Sequence, residues 1–138
     1  MDNYIHTQNP RVLIIQKLYS QYLNKDSKII FPKHKYRKFI KDVVIGTIER
    51  KEFIQDFIDK ELKNYLNKNK SDLIIKLIIM ASIYEFMFMH RIPIKVVITE
   101  YLRVSDFFVE TSQKSFLNAI LDKASKLCRI KTDWIGVK

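Results

Sequence analysis

Few residues in this chain have the types and spacing that catalysis requires. The three histidines, His6, His34 and His90, stand far apart, with none of the His, Cys and carboxylate spacing of a metal site around them. Gly46 and Gly136 stand alone, so no glycine-rich loop can cradle a phosphate, and neither a nucleophile elbow nor a kinase-like motif occurs. The single cysteine, Cys128, lies late in an apolar helical face, with no histidine close in sequence to activate it. Core packing is the simpler reading, and a chain unable to close an internal disulfide fits a reducing compartment. Asp56, Asp59 and Glu61 read as the wet face of a helix rather than as an acid–base pair, because nothing places them in a cleft. An enzyme is not expected, and neither is a cofactor or a metal.

What remains is binding. The formal net charge is +10, and a surface that basic meets phosphate or an acidic protein, or serves solubility alone. Most of the charge is lysine, which meets phosphate as a point charge without the geometric discrimination of arginine's fork. The densest stretch runs from Phe31 to Lys41, where Lys33, Lys35, Arg37, Lys38 and Lys41 surround Tyr36. Cations in this pattern could neutralise phosphates while the ring stacks on a base. The same stretch also fits a solvated loop leading into a helix whose Phe39 and Ile40 are core, and for Tyr36 the loop reading is favoured.

The elements that must position these groups are helical. A chain of 138 residues makes one domain with a real core, and two glycines with three prolines are too few for many turns. Isoleucine is abundant and favours strands by propensity, yet the apolar residues repeat at three and four, so the period decides for an all-α fold. Asn9 followed by Pro10 is a helix start, and Val12, Ile15, Leu18, Tyr19 and Tyr22 form one apolar face before Asn24 to Ser27 ends it. A second helix carries Val43, Val44, Thr47 and Ile48, with Gly46 pointing to close helix approach. Phe53, Phe57, Ile58, Leu62, Tyr65 and Leu66 mark a third, followed by a polar break and a cap at Ser71 or Asp72. Leu73 to Met89 is apolar on nearly every side. Lys76 and Glu85 interrupt it, and it falls a little short of the ~20 residues a bilayer needs, so it is expected at the centre of a bundle rather than in a membrane. Pro93 begins a fifth helix with Val96, Val97, Tyr101, Val104 and Phe108 on one face. Glu110 to Ser112 makes a joint with capping hydroxyls, and Phe116, Leu117, Ile120, Leu121 and Ala124 line a sixth. Met1 to Asn9 is short and polar, unlike a secretory leader, and Trp134 in the carboxy-terminal tail could pack back on the bundle.

Three strings within this frame carry a resemblance. Ile83-Tyr84-Glu85, Ile92 through Glu100 (IPIKVVITE) and Ser115 through Lys123 (SFLNAILDK) resemble the NusB family of bacterial transcription antitermination factors, with the family's spacing kept without a gap. Gln16-x-Leu18-Tyr19 and Lys41 through Gly46 resemble its first-helix and second-helix segments. The resemblance implies a NusB-like bundle of about six to seven helices in two packed three-helix subdomains, residues 1–70 and 71–138. It also implies a cytoplasmic factor, not membrane-bound, that pairs with the ribosomal small-subunit protein NusE. The pair binds boxA RNA and joins the RNA polymerase elongation complex with other Nus factors, supporting processive transcription of ribosomal RNA operons.

Carried over by position, Tyr19 and Glu85 match residues near the family's NusE surface, and Phe108, Ser112, Gln113, Lys114 and Phe116, with Phe107 beside them, match its RNA surface. Other readings stand beside these. A carboxylate ending an apolar helix needs a cation, which a basic partner or an internal pair with Arg91 or Lys95 could supply to Glu85. Tyr19 and Phe108 fit the core as well, which their spacing favours, and Asn118 and Asp122 fit a structural role at a helix interface. The family's arginine-rich segment before the first helix, which touches RNA, is reduced here to Arg11, with Lys33, Lys35, Arg37 and Lys38 as possible replacements. The rival reading is a NusE-binding interaction module that has lost autonomous RNA binding. A third, the NusB-like domain attached to RNA methyltransferases, would need such an enzyme in trans.

Overall fold

In a computed structural model the chain is described over residues 9–66, 73–108 and 113–131. These contain seven helical segments and no strand: α1 (Pro10–Leu23), α2 (Arg37–Glu49), α3 (Lys51–Glu61), the single turn α4 (Lys63–Leu66), α5 (Leu73–Phe88), α6 (Ile94–Phe108) and α7 (Lys114–Lys131). The expected caps at Ser71, Asp72 and Ser112, and the expected packing of Trp134, lie outside the described residues.

Local chemistry fixes the ends. The Asn9 side-chain oxygen accepts from the backbone N–H groups of Arg11 (2.9 Å) and Val12 (3.2 Å), satisfying two of the donors that α1 leaves open, while Pro10 opens the first turn. Arg50 alone separates α2 from α3: its N–H closes on the Gly46 carbonyl and its own carbonyl accepts from Ile54. The third helix, expected to run to Leu66, breaks at the buried Leu62 and resumes as the single turn α4. Pro93 sits one position before α6, where its carbonyl accepts from Val96 and Val97.

The organising element is α5, buried continuously from Leu77 to Met87. It packs against α1, α2, α3, α6 and α7, which is why no polar face was needed along its length. None of the described helices is long and apolar enough to cross a membrane. Gly46 on α2 is where that packing is tightest: a Cβ there would run into the Tyr84 ring of α5. Cys128 is buried in the core on α7.

The face expected on α1 ends earlier than its spacing suggested. Val12, Ile15 and Leu18 are buried along with Leu13 and Ile14, but Tyr19 is 38% and Tyr22 50% exposed. The amino-terminal half of α1 is enclosed by its neighbours on all sides, whereas its last turn emerges from them.

Candidate RNA and protein interface

Arg11 and Glu85 meet inside the bundle. The Arg11 fork donates through Nε to Glu85 Oε2 (3.1 Å) and through Nη2 to Oε1 (2.7 Å), and the Tyr101 hydroxyl donates to Oε2 at 2.5 Å. The Glu85 side chain is fully buried and that of Arg11 only 10% exposed. The guanidinium lies 4.9 Å from the Phe39 ring centre and 5.5 Å from that of Tyr101. Burial pulls the Arg11 pKa down, but the hydrogen bonds and charge of Glu85 outweigh it and hold the group protonated above its ordinary range. Burial, then the Glu85 charge, pushes the Tyr101 hydroxyl well above its usual range, so it stays a donor. The cation that Glu85 requires comes from α1, 74 residues away, and not from Arg91 or Lys95. Neither Arg11 nor Glu85 presents its charge on the surface.

The basic segment ahead of α2 is built differently. The His34 Nδ1 accepts from the Tyr36 N–H (2.9 Å), the His34 carbonyl accepts from the Arg37 N–H (3.1 Å), and Arg37 Nε reaches back to the Phe31 carbonyl (3.0 Å). These bonds fold the segment into a turn whose side chains face out. Lys33, Lys35 and Lys38 are exposed and make no ion pair among the described residues. Lys33, His34, Lys35 and Tyr36 border a concavity of about 450 Å³, with the Lys35 ammonium 5.5 Å from the centre of the exposed Tyr36 ring. An open ring beside several cations can stack a base and hold its phosphates. Phe39 and Ile40 pack into the core, as the loop reading also required.

Around the joint after α6, the residues matched by position have different surroundings. Phe108 and Phe116 are partly buried against the core, while Phe107 is the more exposed ring. Lys114 pairs with Asp106 at 3.1 Å across the joint, a solvent-exposed pair worth about 0–1 kcal/mol and open to exchange for phosphate. Gln113 is half-buried just ahead of α7, and Ser112 lies outside the described residues. Asn118 and Asp122, expected at a helix interface, are exposed, and Asp122 pairs with Lys126 on its own helix. Tyr19, favoured by spacing for the core, joins Tyr22 and the 65%-exposed Leu23 in an apolar strip at the end of α1.

Sequence reasoning missed the Arg11 partnership and the role of Arg129. The latter donates from Nε to the Phe86 carbonyl (2.6 Å) and from Nη2 to that of Ile92 (2.8 Å), stapling α7 to the end of α5. A carboxylate alone in an apolar helix was the available signal for the first; no local pattern marks the second.

Comparison with known proteins agrees with this architecture. A family model described as "NusB family" matches residues 4–126. The transcription antitermination protein NusB of Rhodopseudomonas palustris (strain TIE-1) is 31% identical over 91 residues, covering 66% of this chain and 52% of that protein. The protein of the same name from Mesorhizobium japonicum is 25% identical over 92 residues, covering 67% and 59%. The chain thus spans little more than half the length of the curated relatives it matches. In structure it is similar to T. maritima NusB, with a TM-score of 0.74 and 20% identity over 93% of this chain and 96% of that one.

Proposed function

The chain belongs to the NusB family, and on that footing we propose that it is a transcription antitermination factor, a non-catalytic cytoplasmic adaptor that pairs with NusE and binds boxA RNA. In this role it joins the RNA polymerase elongation complex with other Nus factors and supports processive transcription of ribosomal RNA operons. The observation that carries the reading is the family match over residues 4–126, within which the exposed basic turn falls. Lys33, Lys35, Arg37 and Lys38 supply the phosphate contacts, Tyr36 offers a stacking ring, and Lys114 adds a contact when RNA displaces Asp106. Gln113 and Ser112 contribute from the same joint, with Phe108 and Phe116 supporting it from the core side. The exposed Tyr19 and Leu23 at the end of α1 form the NusE-facing surface. Arg11 and Glu85 are left out of both contact sets, because each is the other's buried partner.

That burial also favours a second reading. With Arg11 enclosed, the segment corresponding to the family's arginine cluster offers no exposed arginine among the described residues, as expected of a NusE-binding module without autonomous RNA binding. Binding of a boxA-like RNA and a scrambled control, with and without NusE, at two salt concentrations separates the two. Discrimination that needs NusE and weakens with salt is expected on the first reading. NusE binding with no preference between the RNAs would overturn it in favour of the second.

A further inference from the structure

A second concavity lies between the carboxy-terminal half of α1, the end of α2, the start of α3 and the start of α5. It encloses about 290 Å³, shares no residue with the basic turn, and has apolar walls from Leu18, Ile48, Leu77 and Met80. Three further features distinguish it from a simple packing defect. Gln21 and Thr47 line it, and the Gln21 Oε1 and Thr47 Oγ1 atoms are buried without a hydrogen-bond partner among the described residues. Such groups are rarely left unmatched in a folded protein. Every charged residue on its border is a lysine: Lys25, Lys51 and Lys76 are all exposed and form no ion pair among the described residues. Tyr22, half exposed, stands at its edge.

We propose that this groove receives one nucleotide of single-stranded RNA, the base against the apolar walls and the flanking phosphates on Lys25, Lys51 and Lys76. The inference rests on the RNA-binding reading above and adds a base-reading site remote in sequence from the basic turn. The Gln21 amide nitrogen already donates to the Lys25 carbonyl at 3.2 Å, which leaves the amide oxygen as an acceptor and suits a base with an exocyclic amino group. The Thr47 hydroxyl can donate or accept, and the Tyr22 ring offers a π-face for stacking. The three lysines also disfavour a basic protein as the occupant, which separates this groove from a NusE contact.

The test is a titration of the isotope-labelled chain with short oligoadenylate and oligouridylate strands, followed by NMR and by affinity at several salt concentrations. It is run on the wild type, on Thr47→Val and on the combined variant Lys25→Gln/Lys51→Gln/Lys76→Gln. Oligoadenylate should move the signals of Gln21, Thr47 and Leu77 more than oligouridylate does. The lysine variant should lose affinity, with the slope of log K against log salt falling by roughly 2. Thr47→Val should weaken oligoadenylate binding at unchanged slope, since it removes a hydrogen bond and no charge. Groove signals that stay still while those of Lys33 to Lys38 move, or a lysine variant with wild-type affinity and slope, would overturn the groove and leave the proposed function standing. Strands that bind neither place, even with NusE present, would overturn both.

Discussion

Glu85 is a carboxylate that its helix can hold only if paired, since everything around it on α5 is buried. Replacing it with glutamine leaves the Arg11 charge enclosed without its counter-ion. Glu85→Gln should therefore cost about 3–5 kcal/mol in urea denaturation. Arg11→Met/Glu85→Leu should recover most of that loss, because removing both charges removes the desolvation penalty with them. If the pair lay on a partner surface instead, Glu85→Gln would leave stability unchanged and weaken NusE binding. The neighbouring Tyr84 donates to Asp42 Oδ1 at 2.7 Å, and burial, then that hydrogen bond, pushes its pKa from 10.0 up to about 12. The folded state therefore holds this proton more tightly than the unfolded chain does. The resulting stability is full below pH 10.0 and is lost as pH rises towards about 12. Alkaline denaturation profiles of the wild type and Tyr84→Phe should differ in that window and coincide in their pH dependence below it.

At the scale of elements, the tightest joint is that of α2 with α5. An alanine at position 46 would gain about 1 kcal/mol of helix propensity, but its methyl group meets the Tyr84 ring, and overpacking of that kind costs about 1–3 kcal/mol. Gly46→Ala should lower the melting temperature, and the effect should shrink in a Tyr84→Ala background; an increase would show that the helices can part without strain. The helices themselves were legible in the sequence because periodicity and caps are local: Asn9-Pro10 begins α1 as its chemistry requires, and the largely apolar α5 is central. The pairing of Arg11 with Glu85 was not legible, since 74 residues separate them and nothing in either neighbourhood names the other. Arg129, which donates to four carbonyls at the end of α5 and in the turn after it, was hidden for the same reason. The exposure of Tyr19 escaped the periodicity because the spacing continues through α1 after its neighbours have diverged.

Across the whole molecule, the charge of +10 is expressed in surface lysines rather than in the buried Arg11–Glu85 pair. We propose two subdomains divided at residue 70, joined through α5, which packs against α1, α2 and α3 as well as α6 and α7. On the proposed function, the basic turn ahead of α2 and the exposed Tyr19 and Leu23 at the end of α1 serve different partners and can be separated by substitution. The most direct measurement is the salt dependence of boxA-like RNA binding, with NusE present, for the wild type and for Lys33→Gln/Lys35→Gln/Arg37→Gln/Lys38→Gln. Weaker binding and a log–log salt slope reduced by roughly 3 are expected, with NusE binding unchanged. A variant that keeps the wild-type slope and affinity would contradict this and place the RNA elsewhere on the molecule.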